Sequence, residues 1–176
     1  MKKLTTLLFL LLIGVSFAQT SQDIITQPID IKYLNSLVLK TCNDRTPNLN
    51  VLKQSHPVTF QCAEYQSAYQ SKYSVCTHTD TTYFRGYHLK TIVNRMEFFN
   101  KSVQLNGSIA EICTFASIDY GETTYGELAT HIIDNFFGSN PHRKTIMIDY
   151  PYGDFSCTQG VYDGQKGVYV TGFFSR

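Results

Sequence analysis

The C-terminal end of the chain constrains the fold most. Phe155 to Tyr162 and Val168 to Phe174 alternate apolar and polar residues around Asp163-Gly164-Gln165-Lys166-Gly167. Alternation of period two on both sides of a Gly-rich turn is the pattern of an antiparallel hairpin. Everything upstream carries a different period. Ile31, Leu34, Val38 and Cys42 recur at helical spacing, which predicts a first helix from Ile29 to about Lys40–Asn43. A polar connection follows from Asn43 to Ser55, with Pro47 inside it. Ser55-His56-Pro57 has the form of a helix start, with Pro suited to the first turn. Cys62, Tyr65, Tyr69 and Tyr73 then fall on one face of a second helix and read as its core stripe. That helix stops before Thr77-His78-Thr79-Asp80, a run of turn-prone residues.

A third helix is expected over His88 to Asn100, with Leu89, Ile92, Met96 and Phe99 as its stripe. Asn106-Gly107 is a turn signal, and Ser108 to Ile118 reads as a short buried strand. Thr124 and Glu127 have capping-box spacing and open a fourth helix whose stripe is Tyr125, Leu128, Ile132 or Ile133, and Phe136. Gly138 closes it, and Ser139-Asn140-Pro141 leads into His142-Arg143. Helices come first and a small antiparallel sheet comes late, without βαβ alternation, so the fold class is α+β.

The N-terminus is read apart from the fold. Lys2 and Lys3 precede an apolar run from Leu7 to Val15, and Ser16-Phe17-Ala18 places small residues where signal peptidase cuts. Residues 1–18 are therefore expected to be a secretory leader. The run is too short for a comfortable membrane span, and no later stretch is longer. Residues 19–28 are polar and read as a loose segment, and residues 29–176 as one domain. Removing the leader takes two lysines and no acid from a chain of formal charge +1, leaving −1 on 158 residues. That charge offers no electrostatic case for nucleic acid or anionic membranes.

Export implies an oxidising compartment, so disulfides are the first reading of Cys42, Cys62, Cys76, Cys113 and Cys157. The count is odd, which leaves one thiol over and permits dimerisation through it. There is no CxxC, which argues against a zinc ribbon or a thioredoxin-type site. Asn100-Lys101-Ser102 and Asn106-Gly107-Ser108 match glycosylation sequons, which matter only in a eukaryotic secretory route.

Three short motifs in order carry a family resemblance. They are Cys76-Thr77-His78-Thr79-Asp80, then Ala110-Glu111-Ile112-Cys113, then Phe136-Phe137-Gly138-Ser139-Asn140-Pro141-His142-Arg143, ahead of the hairpin. In sequence, order and flanking elements the chain resembles bacterial members of the CAP superfamily (SCP-like extracellular proteins) over roughly residues 30–174. It departs from that pattern at Ala110 and Ile112 beside the Glu, at Phe136 in place of Trp, and at Asn140-Pro141 before the His. It also shows no counterpart of the second Glu that longer members carry.

The resemblance implies an α-β-α sandwich in which His78, Glu111 and His142 converge in a cleft. It also implies disulfides Cys42–Cys62 and Cys113–Cys157. Two imidazoles and a carboxylate would suit a Zn²⁺ ion with one open position, and such an ion could support hydrolysis. No HExxH motif supports this locally. Ser139, three residues before His142, would be the nucleophile of an alternative triad, but no GxSxG elbow surrounds it and a turn role fits better. A thiol-protease reading of Cys76 with His78 is weaker again. The expected function is a secreted, extracellular or periplasmic, binding module for a metal ion, a small apolar molecule or lipid, or a protein partner. The rivals are a metal-dependent hydrolase using His78, Glu111 and His142, and an interaction-mediating surface protein with a vestigial cleft.

Overall fold

The structure is a computed structural model that describes residues 20–47, 49, 52–100, 105 and 107–176. The expected leader, and Asn106 of the expected turn, lie outside the described residues. The element order is α1 (Ile31–Arg45), α2 (Pro57–Tyr73), β1 (Tyr83–Phe84), β2 (Tyr87–His88), α3 (Ile92–Phe99), β3 (Ile109–Ser117), α4 (Tyr125–Gly138), α5 (Asn140–Ile146), β4 (Tyr152–Tyr162) and β5 (Gln165–Ser175).

The C-terminal hairpin is the scaffold. β4 and β5 pair antiparallel from Tyr152↔Ser175 to Tyr162↔Gln165. They are joined by the two residues Asp163 and Gly164, at φ 49° and 77°. Positive φ at both positions is the backbone of a two-residue turn whose twist matches the strands, and Gly adopts it without penalty. β3 pairs antiparallel with the other edge of β5, so the sheet order is β3-β5-β4. Gly167 is needed where β5 crosses β3, because a Cβ there would lie 2.1 Å from the Ala116 carbonyl oxygen.

Strand alternation sorts the side chains onto two faces. Ile112, Ala116, Phe155, Cys157, Val168, Val170 and Phe174 point to the main core, where they meet Leu34, Val38 and Cys42 of α1 and Leu128, Ile132 and Phe136 of α4. Phe173 points to the opposite face, where it meets Val58, Cys62 and Ala63 of α2 and Met96 of α3. The architecture is thus α-β-α, as the resemblance implied. Thr124 and Glu127 form the expected capping box at the start of α4.

Three expectations need correction. The disulfides Cys42–Cys62 and Cys113–Cys157 are absent: all five cysteines are free, with only Cys76 exposed. The reason is geometric. Cys42 and Cys62 belong to the cores on opposite faces of the sheet. Cys157 also faces the main core, while Cys113 meets Thr171 on the other face. The β-sheet lies between the partners in each pair, and a disulfide spans far less than that. The Tyr stripe of α2 is not its core face. Tyr73 is exposed, and the buried positions are Val58, Thr59, Cys62, Ala63, Gln66, Ser67 and Gln70. Small and polar residues lie inward because β4 offers them partners: the Ser67 hydroxyl is 3.2 Å from Ser156 Oγ and 2.9 Å from Thr158 Oγ1. The third helix starts later than expected, at Ile92, because Thr91 and Asn94 form its capping box. His88 instead pairs with Tyr83 in the β1–β2 hairpin. Beyond Gly138 the chain forms a short helix, Asn140 to Ile146, with Pro141 in its first turn.

Candidate functional site

Glu111 and Cys113 are alternate residues of β3 and so share a face. They pair across to Phe173 and Thr171 of β5, on the side covered by α2 and α3. An acid placed there would be costly without a partner. The partner is Arg95 of α3. Arg95 is fully buried, the Glu111 side chain is 1% exposed, and Arg95 Nη2 lies 2.6 Å from Glu111 Oε2. The same guanidinium donates to the Leu89 carbonyl at 3.0 Å and to the His78 carbonyl at 3.2 Å. One buried cation therefore holds the carboxylate and the backbone of the loop that carries His78.

That loop is tied down from below as well. Gln66 and Gln70 of α2 both donate from Nε2 to the Thr77 carbonyl, at 2.5 and 2.9 Å. Asp80 is buried, and it accepts from the Tyr65 hydroxyl and from the Thr82 N–H and hydroxyl at 2.6 and 2.7 Å. Tyr65 thus anchors the loop through its hydroxyl, which burial and the Asp80 hydrogen bond push to a higher pKa.

The loop presents His78 to solvent on one side and to the acid on the other. Its side chain is half exposed, and Nδ1 lies 3.1 Å from Glu111 Oε1. Cys113 Sγ is 3.6 Å from the same nitrogen, 3.8 Å from Glu111 Oε1 and 3.7 Å from Thr171 Oγ1. The donor atoms of His78, Glu111 and Cys113 all lie within 4.8 Å of one another. Burial, followed by the charge of Glu111, holds the Cys113 thiol well above its ordinary pKa.

His142 approaches from α5, which packs on β3 and α4. Its half-buried ring stands edge-on to Phe136, with centroids 5.5 Å apart, and 6.5 Å from the ring of His78. Burial, and then the neighbouring His78, lower its pKa, so the imidazole is neutral at neutral pH. Of the residues singled out by sequence, His78 and Glu111 are in hydrogen-bond contact, and the ring of His142 stands edge-on to that of His78 with centroids 6.5 Å apart. Ser139 belongs to the α4–α5 junction, where its N–H donates to the Phe136 carbonyl at 3.2 Å and its carbonyl accepts from Arg143 N–H at 2.9 Å. Those backbone bonds fit the turn role expected of it. Sequence reasoning singles out Cys113 only as a disulfide partner, and Arg95 not at all. Two signals could have found them: the period-two spacing of Glu111 and Cys113 on a strand, and a lone Arg on the inner face of the third helix.

No family model matches the sequence, and comparison with curated proteins gives no significant relative. Solved structures do resemble it. An outer surface protein from Borrelia burgdorferi matches at 15% identity with a TM-score of 0.57, over 84% of this chain and 96% of that one. An extracellular protein containing a SCP domain from Bacillus anthracis str. Ames matches at 18% identity with a TM-score of 0.55, over 82% of this chain but only 41% of its own length. Likeness at this level of identity establishes the fold: the chain has the bacterial SCP-like, or CAP, fold. Among the described residues, no helix is long and apolar enough to cross a membrane.

Proposed function

We infer that the chain works as an exported CAP-like binding module, and that the cleft between His78, Glu111 and His142 takes a metal ion held at least by His78 and Glu111. Export is supported by the leader pattern of residues 1–18 and by the outer-surface and extracellular descriptions of the two structural neighbours. The observation that carries the metal reading is the state of Glu111. Arg95 occupies one of its oxygens, and the other is turned at 3.1 Å toward the nitrogen of a half-exposed imidazole. A carboxylate oriented by a buried partner, next to an accessible imidazole, brings together two of the donor types that zinc uses. The neutral ring of His142, 6.5 Å from that of His78, adds no positive charge to oppose a bound cation.

The test is calorimetric titration of Zn²⁺ into demetallated mature protein, beside a His78→Ala/His142→Ala variant. Binding at about micromolar or tighter, about −8 kcal/mol or more favourable, and lost in the variant, supports the reading. Equal heats for the two proteins overturn it and leave the cleft to an apolar ligand or a protein partner.

A further inference from the structure

We propose that Cys113 is the third metal donor of this site, so that the cation it takes is of the zinc class, bound by imidazole, carboxylate and thiolate with one position open. The proposal rests on the metal reading above and assigns its ligands. A tetrahedral zinc ion with ordinary bond lengths holds nitrogen and oxygen donors about 3.3 Å apart, nitrogen and sulfur about 3.6 Å, and oxygen and sulfur about 3.5 Å. The observed separations are 3.1 Å for His78 Nδ1 to Glu111 Oε1, 3.6 Å for His78 Nδ1 to Cys113 Sγ, and 3.8 Å for Cys113 Sγ to Glu111 Oε1. These three atoms mark out one face of a coordination tetrahedron. His142 lies outside the set of converging donors, its ring centroid 6.5 Å from that of His78.

The fold keeps the three donors where they are. Glu111 and Cys113 are fixed relative to each other by the pleat of one strand, and β3 is paired with β5 at both positions. Arg95 fixes both the Glu111 carboxylate and the backbone of His78. Outer partners of this kind orient ligands and raise affinity. The donor set also selects the ion. A thiolate with an imidazole favours Zn²⁺ and its softer relatives, whereas Ca²⁺ and Mg²⁺ require six or more oxygens in a shell this site does not offer. Binding breaks the Cys113 S–H bond, forms an S–metal bond and releases one proton to solvent, while the proton that His78 Nδ1 shares with Glu111 moves to Nε2 so that Nδ1 can ligate.

The experiment loads the reduced mature protein with Co²⁺, a zinc-site probe whose thiolate complexes absorb in the ultraviolet. The work is done in a Cys76→Ser background, which removes the one exposed thiol. The expected result is uptake of one Co²⁺ with a thiolate-to-cobalt band, displaced by Zn²⁺ and untouched by Ca²⁺ or Mg²⁺. Cys113→Ser should abolish the band and weaken binding on the order of a hundredfold or more, since outer-shell losses alone cost up to that. His142→Ala should keep the band. Because Cys113 is buried, a thermal melt checks the serine variant; the band in protein retaining Cys113 decides the matter without it. Cobalt bound without the band, or lost in His142→Ala but not in Cys113→Ser, overturns the assignment of Cys113 and leaves the metal reading standing. No uptake of Co²⁺ or Zn²⁺ overturns both.

Discussion

Arg95 is the residue on which the site and the second core jointly depend, and Arg95→Met measures how much. The side chain is fully buried, and it serves three acceptors: Glu111 Oε2 at 2.6 Å, the Leu89 carbonyl at 3.0 Å and the His78 carbonyl at 3.2 Å. Methionine fills much of the same volume, so the cavity contribution is small. What remains is a carboxylate, 1% exposed, without its cation. Removing one partner of a buried ion pair costs about 3–5 kcal/mol. For a domain of this size that lowers the melting temperature on the order of 10 °C. The assay is urea unfolding at neutral pH of the wild type, Arg95→Met, Glu111→Gln and the double variant. If the cost is the stranded charge, Glu111→Gln in the Arg95→Met background restores about 1–3 kcal/mol. A loss under about 1 kcal/mol, or strict additivity of the two substitutions, would refute the reasoning, because a surface-like pair behaves that way.

Three further outcomes follow from the geometry. Gly167→Ala pushes a Cβ to 2.1 Å from the Ala116 carbonyl oxygen, so the β3–β5 ladder must shift. A loss of about 2–4 kcal/mol in denaturant unfolding is expected, and a neutral result would contradict the β3–β5 register. Under mild native alkylation only Cys76 should label, because Cys42, Cys62, Cys113 and Cys157 are buried. Peptide mapping that finds a Cys42–Cys62 or Cys113–Cys157 linkage in folded protein would break the assignment of faces. His142 has a folded pKa below its ordinary 6.5, from burial and then from His78. Below that ordinary value the unfolded chain binds the proton more readily, so this group makes the protein less stable as pH falls, and costs nothing above it. His142→Gln should therefore flatten the acid side of the urea midpoint–pH profile relative to wild type, and an unchanged profile would remove His142 from its half-buried position.

The large periodic elements are legible in the sequence, and the site only in outline. β3, α1 and α4 each show an apolar stripe that matches the buried side, and the hairpin is legible from its Asp163-Gly164 turn although β5 is buried on both faces. α2 misleads because it packs on β4 through Ser67, while Gln66 and Gln70 hydrogen-bond to the Thr77 carbonyl and its tyrosines lie on the flank. Apolar spacing says nothing about a polar face that finds partners in a distant strand. The start of α3 is misplaced by Leu89, which is buried without being helical, and the Thr91 capping box marks the true start. In the site, motif order makes His78 and Glu111 legible. Export makes a disulfide the default for Cys113. Only the sheet, which puts Cys113 and Cys157 on opposite faces, removes it from that role and leaves it beside His78. Arg95 stands out locally as a lone Arg on the inner face of the third helix, but its partner Glu111 lies on a different element and is set only by the fold.

Whether His78, Glu111 and Cys113 together hold a metal is tested most directly by anomalous scattering at the zinc edge, from crystals of the reduced protein soaked in Zn²⁺. One strong peak is expected, about 2.0–2.3 Å from His78 Nδ1, Glu111 Oε1 and Cys113 Sγ. A cleft without a peak, or zinc found only at other histidines such as His88 or His131, would contradict it.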